Sequence, residues 1–142
     1  MRRFTLFSAV FIFLSSCNLN TSERDILVKM YGSEQDAQGC NLVAGYLWSN
    51  MHHACIPILK EGITLKPKTV NEVNQGFPAF ILFNKDKSVA ELFLPNKKNT
   101  SIYLNVSEGS LYLYENYMYD DLQSKLYIDN FEVYAFDPKA EK

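Results

Sequence analysis

The sequence contains few of the residues from which enzymes and metal sites are most often built. Only two of the 142 residues are histidines and only three are cysteines, and the histidines, His52 and His53, are neighbours. There is no G-x-S-x-G nucleophile motif, no H-E-x-x-H zinc motif and no glycine-rich phosphate loop. The adjacent carboxylates Asp120 and Asp121 are expected in a solvated turn. The sequence therefore predicts that the protein is not an enzyme and has no cofactor.

An excess of positive charge is also missing. The chain has 14 basic and 16 acidic residues, and without Arg2 and Arg3 the balance is 12 against 16, or −4. Such a balance makes nucleic acid a poor partner. After the first residues, no apolar run is long enough to span a bilayer, and the chain has no internal repeat.

The beginning of the chain has the three regions of a secretory signal in order. A cationic start, Met1-Arg2-Arg3, precedes an apolar segment at residues 4–14, and small serines follow it. Eleven residues in a helix cover only about half of a hydrocarbon core of about 30 Å. We therefore expect residues 1–16 to be a signal peptide that is removed, rather than a membrane-spanning helix.

The segment Leu14-Ser15-Ser16-Cys17 at the expected cleavage point resembles the lipobox of bacterial lipoproteins. The resemblance implies that the Cys17 thiol is joined to diacylglycerol and that the new amino group is acylated, for example with palmitate. Several acyl chains anchor a protein stably, whereas one chain binds only marginally. Residues 17–22 would then form a lipidated tether in the cell envelope. Asn18 favours the outer membrane if the host is Gram-negative; the alternative is an ordinary signal peptide with a chance cysteine.

Two further cysteines, Cys40 and Cys55, remain once Cys17 carries lipid. In an oxidising compartment outside the cytoplasm, an even pair is most simply a disulfide. Closing the loop of about 15 residues between Cys40 and Cys55 stabilises the fold by about 3 kcal/mol in the chain-entropy model. The alternative, a metal site that adds His52 and His53, has an unusual zinc spacing, and oxidised cysteines are not ligands.

The part of the chain that follows the tether begins with a short predicted helix. Ser22 with Asp25 resembles a capping box, apolar residues recur at helical spacing, and Gly32 can end the run. These signals predict a helix at residues 23–31.

From there on, β signals dominate. Runs rich in aromatic and branched residues predict strands at 45–48, 54–59, 77–84, 89–94, 101–106, 110–115, 125–128 and 131–136. Asp129-Asn130 separates the last two runs and predicts a tight hairpin, because both residue types tolerate positive φ. We expect residues 23–142 to form a single, mostly β domain, a small antiparallel sheet or barrel with a short N-terminal helix.

The strand near residue 112 alternates between leucine and tyrosine. Leu111 and Leu113 are expected on one face, and Tyr112 and Tyr114 on the other. Tyrosine suits half-buried strands that have one wet end, which is the structural interpretation. The alternative is a tyrosine-lined recognition surface, because aromatic anchors dominate interface energies.

The most distinctive local motif is AGYLWS at residues 44–49, followed by Cys55 and Ile56. With the apolar strands that follow it, this motif resembles a group of small, largely uncharacterised bacterial lipoproteins and secreted proteins over residues 38–95. The element is interpreted as a disulfide-stapled hairpin in which Trp48, the only tryptophan, is the apolar anchor.

A second resemblance concerns the stretch VSEGSLY, which begins at Val106. It is similar to the S-x-S-G-x-x-Y loop with which small lipid-anchored or periplasmic β-barrels inhibit C-type lysozyme. Gly109 and Tyr112 match this pattern, whereas Glu108 and Val106 replace its serines. Together with the alternative of a tyrosine-lined surface, this resemblance makes Glu108, Gly109, Tyr112 and Tyr114 the candidate residues for binding a partner.

Taken together, these features predict a lipid-anchored envelope protein. We expect it to be a non-catalytic binding or accessory module that is attached to the membrane through its lipid and binds a protein partner in the envelope. Inhibition of C-type lysozyme is the alternative. The acidic cleft of lysozyme would repel Glu108, which counts against that alternative.

Overall fold

The computed structural model of the protein describes residues 21–138. Cys17, the signal segment and the first four residues of the tether lie outside these residues. The described chain begins with helix α1 (Thr21–Tyr31), followed by a hairpin of β1 (Tyr46–Ser49) and β2 (Ala54–Pro57) and the one-turn helix α2 (Ile58–Glu61). Eight strands follow: β3 (Ile63–Pro67), β4 (Ala79–Phe83), β5 (Val89–Phe93), β6 (Ile102–Val106), β7 (Leu111–Tyr114), β8 (Tyr117–Asp120), β9 (Lys125–Ile128) and β10 (Phe131–Ala135).

These eight strands form a closed antiparallel barrel in which each strand pairs with the next and β10 pairs with β3. The mostly β fold with a short N-terminal helix is thus confirmed. The predicted tight hairpin is also present, because Asp129 and Asn130 have φ values of 53° and 66°. Closure of the barrel gives each of β3 to β10 a paired neighbour on both sides, so none of them is an edge strand.

The structure differs from the sequence prediction at three places. Helix α1 includes Thr21 and Ser22, so the helix takes in the last two residues assigned to the tether, and Ser22 lies inside it. Strands β3 and β8 were not predicted, because β3 ends in proline and β8 follows β7 after a turn of only two residues. The run at 54–59 divides at Pro57, after which α2 begins.

The interior of the barrel is filled with side chains from all of its strands. The cross-strand pairs Ile81 with Leu92 and Ala90 with Leu104 contribute four fully buried residues. The other buried members of this core are Leu65, Ala79, Leu94, Tyr112, Tyr119, Leu126 and Tyr134. A small barrel filled in this way is a packed core rather than a channel.

A second core lies outside the barrel, between β4–β5 and a layer that we call the cap, which consists of α1, the β1–β2 hairpin and α2. Phe80, Leu82 and Phe93 project from the outer face of the barrel into this core. They pack with buried residues of the cap region, namely Leu27, Met30, Leu42, Leu47 and Ile58. Because β4 is covered on both faces, its sequence AFILF is a continuous apolar run instead of an alternating one.

The disulfide between Cys40 and Cys55 is present and joins the loop before β1 to strand β2. The interpretation of the hairpin needs one correction, because Leu47 is its buried anchor and not Trp48. Leu47 is 2% exposed and lies in the second core, whereas Trp48 is half-buried and lies in neither of the two cores formed by residues 21–138. Neighbouring residues of a strand point to opposite faces, so burying Leu47 turns Trp48 away from the core.

Candidate functional site

Three connections lie together at one end of the barrel, which we call the loop end. They are residues 84–88 between β4 and β5, residues 107–110 between β6 and β7, and residues 121–124 between β8 and β9. Alternate connections of an antiparallel meander fall at the same end, because each strand reverses the direction of the one before it. Loops on a rigid scaffold are common binding sites.

The 107–110 loop is short and ordered by its own backbone. Ser107 N donates to Leu111 O at 2.8 Å, and Leu111 N donates to Glu108 O at 3.0 Å. Gly109 has a φ of +57°, a left-handed conformation that glycine adopts without steric cost. Glu108 and Gly109 are both exposed. Two of the four predicted partner-binding residues therefore lie at the exposed tip of this loop.

An aromatic cluster closes the barrel beneath these loops. The ring centroid of Phe83 lies 5.2 Å from that of Tyr112 and 6.2 Å from that of Tyr119, and the two tyrosine centroids are 6.2 Å apart. The Tyr112 hydroxyl donates to Lys87 O at 2.8 Å, which satisfies its polar atom at the mouth of the barrel. Tyr112 thus supports the loops from inside and does not form an exposed contact.

The predicted tyrosine face therefore needs a correction. Tyr112 points into the barrel, and Leu113 is the exposed neighbour, with 39% of its surface accessible. Tyr119 and Tyr134 are also interior, and burial raises the pKa of Tyr134 to about 12. Tyr114 is exposed but lies at the opposite end of β7 from Gly109. These tyrosines do not form one surface. Tyr112, Tyr119 and Tyr134 fill the core of the barrel, as the structural interpretation of the tyrosines predicts.

Charged residues that were not predicted flank the 107–110 loop. The Lys87 ammonium lies 3.9 Å from Asp121 Oδ2 and 5.0 Å from the centroid of the Phe83 ring. Lys87 thus lies above the aromatic cluster as well as beside a carboxylate. The sequence gives no signal that Lys87 and Asp121 are close together. Asp121 directly follows β8, and because that strand was not predicted, the position of Asp121 at the loop end was not predicted either.

Asp120 fixes the shape of the loop end and is not a solvated turn residue. It is 8% exposed, and its Oδ1 accepts hydrogen bonds from Ser110 Oγ at 3.0 Å and from Leu122 N at 3.0 Å. Asp121 N donates to Ser110 O at 2.9 Å, so the 107–110 and 121–124 loops are joined through both side chain and backbone. These bonds make the two loops one preorganised surface.

The alternative metal site is not assembled by the structure. Cys40 and Cys55 are bonded to each other, and His52 Nε2 lies 3.2 Å from the backbone oxygen of Phe83. Within residues 21–138, no group of three or more His, Cys, Asp or Glu side chains is arranged to hold a metal ion. Over the same residues, no helix has the length and apolar character needed to cross a membrane.

Comparison with known proteins identifies no relative of this chain. No protein-family model, curated protein or solved structure matches it.

Proposed function

We propose that the protein is a lipid-anchored protein of the bacterial cell envelope that acts as a non-catalytic binding module. The observation that carries the proposal is the Cys40–Cys55 disulfide, because stable disulfides belong to oxidising compartments outside the cytoplasm. Once these two cysteines are paired, Cys17 is the only other cysteine of the chain, and it stands in the lipobox-like segment. A cysteine in that position serves as the acceptor of the lipid.

The architecture supports a binding role on the outside of the barrel. The interior is filled by apolar and tyrosine side chains, so a ligand would bind to the surface and not inside. The loop end offers Glu108 and Gly109 at an exposed tip, with the cation of Lys87 and the carboxylate of Asp121 nearby. The hydrogen bond from Ser110 Oγ to Asp120 and the one that Ser110 O accepts from Asp121 N hold this surface in one arrangement before a partner arrives, which lowers the entropy cost of binding.

Lipid attachment is tested by metabolic labelling with palmitate. Wild-type protein should incorporate the label and fractionate with membranes, whereas Cys17→Ala should do neither, since the thioether requires that sulfur. Ser16→Ala is the matched control, because it keeps a small residue before the cysteine and should still be labelled. Equal labelling of the wild type and Cys17→Ala would contradict the lipoprotein proposal.

Inhibition of C-type lysozyme is the second candidate function. The observation in its favour is the exposed 107–110 loop at one end of a closed barrel, with Gly109 at the tip and Tyr112 behind it. Glu108 opposes this function, because it would approach the two acidic residues of the lysozyme cleft. Replacing Glu108 by serine, which the inhibitor pattern carries, tests this candidate directly.

A further inference from the structure

A solvent-open recess lies between the cap and the connection between β5 and β6, at the opposite end of the barrel from the loop end. Its aromatic wall includes Trp48 and Tyr31, and the space that it encloses is about 30 Å³, so a ligand would lie over the recess rather than inside it. We call this feature the Trp48 recess.

Trp48 is held in place by polar contacts and not by a core. Its backbone N donates to Asp36 Oδ2 at 2.8 Å, and the indole Nε1 donates to Asn50 Oδ1 at 2.9 Å. Asn50 Nδ2 in turn donates to Ser101 Oγ at 3.3 Å, which links the hairpin to the connection between β5 and β6. An aromatic side chain that is half-buried and already ordered loses little conformational entropy when a ligand packs against it.

Neutral hydrogen-bonding groups surround this indole. Gln38, Asn99 and Thr100 line the recess, are exposed, and have side chains that make no hydrogen bond to the described residues. Amides and hydroxyls both donate and accept, which matches ligands whose hydroxyl groups do the same. Burial, with a smaller contribution from Asp36, raises the pKa of Tyr31, so its hydroxyl remains protonated.

The charges of the recess favour a neutral ligand. Lys98 and Asp36 are the charged residues of its lining, and they have opposite signs. Both oxygens of Asp36 are already engaged by backbone N–H groups, from Gln38 and Cys40 at Oδ1 and from Trp48 at Oδ2. A single exposed lysine is a weak site for an anion, because water and salt screen it.

We propose that the Trp48 recess binds a saccharide ring. A pyranose ring has an apolar face of C–H groups and a rim of hydroxyls. The C–H face suits the negative face of the indole, and the rim suits the free amides and hydroxyl around it. Because the recess is shallow, a single ring of a longer glycan lies over it against the indole, and the rest of the glycan stays in solvent.

The test uses the full-length protein in a detergent without a sugar headgroup. Trp48 is the only tryptophan, so its fluorescence reports on the recess alone. Maltotriose and the trisaccharide of N-acetylglucosamine are the probes, and glycerol is the control for hydroxyl groups that are not on a ring. A saturable change with at least one trisaccharide and none with glycerol is expected. No saturation with either trisaccharide, or an equal response to glycerol, would overturn the proposal.

A pair of exposed residues gives a variant that leaves the core intact. Asn99→Ala with Thr100→Ala should raise the half-saturating concentration at least about threefold, because two hydrogen-bonding groups are lost. Asn96→Ala is the matched control, since Asn96 is exposed on the same connection but does not line the recess, and it should bind like the wild type. Saturable binding that is the same in the double variant and the wild type would place the saccharide elsewhere and refute the site.

Discussion

Ser49 Oγ donates a hydrogen bond to Glu91 Oε2 at 2.5 Å, although 42 residues separate them in the sequence. Glu91 is fully buried on the outer face of β5, and its other oxygen accepts from Asn50 N at 2.9 Å and from Ser101 Oγ at 2.5 Å. Three donors thus compensate a carboxylate that has lost its water. This contact joins the cap to the barrel through hydrogen bonds as well as apolar packing.

Glu91→Gln should destabilise the protein by about 2 to 4 kcal/mol. The NH₂ group of the new amide would point two donors at Ser49, Asn50 or Ser101, whose own groups already donate to Glu91. Ser49→Ala removes one donor and should cost about 1 kcal/mol. Urea unfolding monitored by Trp48 fluorescence measures both values. Glu72→Gln, at an exposed residue, is the control and should leave the midpoint unchanged. A Glu91→Gln midpoint equal to that of the wild type would refute the role assigned to Glu91.

The disulfide predicts both a chemical and an energetic result. In protein taken from the envelope, Cys40 and Cys55 should resist alkylation until a reductant is added. Cys40→Ser should lower the free energy of unfolding by about 2 to 5 kcal/mol, since the loop is no longer closed in the unfolded chain. The Cys17→Ala variant keeps Cys40 and Cys55, so both should remain protected from alkylation. Ready alkylation of Cys40 and Cys55 without reductant would contradict the assignment.

Glu108→Ser distinguishes the inhibitor from a general binding module. If the 107–110 loop enters a lysozyme cleft, removing its carboxylate relieves like-charge repulsion that costs several kcal/mol, and inhibition of C-type lysozyme should rise by at least tenfold. The assay is the loss of turbidity of a cell-wall suspension with excess full-length protein. Glu72→Ser is the matched control, because it removes the same charge from an exposed connection at the other end of the barrel. No inhibition by the wild type or by Glu108→Ser would eliminate this function.

Glu132 on β10 predicts a pH dependence of stability. Lys68 Nζ and Lys125 Nζ each lie 3.1 Å from one of its oxygens, and these two ammonium groups, Lys68 first and then Lys125, lower the pKa of Glu132. Because the folded pKa is below the unfolded value, the stabilisation is present above the unfolded pKa and is lost as the pH falls through the folded one. Glu132→Gln should therefore reduce the melting temperature at pH 7. Below about pH 4.5, the melting temperature of this variant should decrease less steeply with falling pH than that of the wild type. If the melting temperature of Glu132→Gln decreases below pH 4.5 as steeply as that of the wild type, other carboxylates determine the acid dependence and the prediction is wrong.

Much of the barrel could be predicted because its signals are local. The Asp129-Asn130 turn follows from two residue types that tolerate positive φ, and several strands follow from aromatic and branched runs bounded by turn formers. Strands β3 and β8 gave weaker local signals. They are strands because their neighbours in the closed barrel supply hydrogen-bond partners on both sides.

The candidate site was predicted less completely than the fold. Glu108 and Gly109 lie at an exposed tip, as a turn-forming stretch between strands suggests. Lys87 and Asp121 join them only because three connections meet at one end of a meander, which no local pattern encodes. Tyr114 was grouped with Tyr112 because alternation puts both on one face of a strand, but the length of β7 separates Tyr114 from Gly109.

The sequence alone predicted the mostly β class from residue preferences, and it predicted the pairing of Cys40 with Cys55 once Cys17 was assigned to lipid. The tertiary structure decided which face of each strand is buried. Alternation in β7 separates Leu113 from Tyr112 but does not say which of them is inside. Closure of the barrel places Tyr112 where its ring packs against Phe83 and its hydroxyl reaches Lys87 O. In the same way Glu91 is buried in an outward-facing position, because the folded cap covers it and brings the donors that its charge requires.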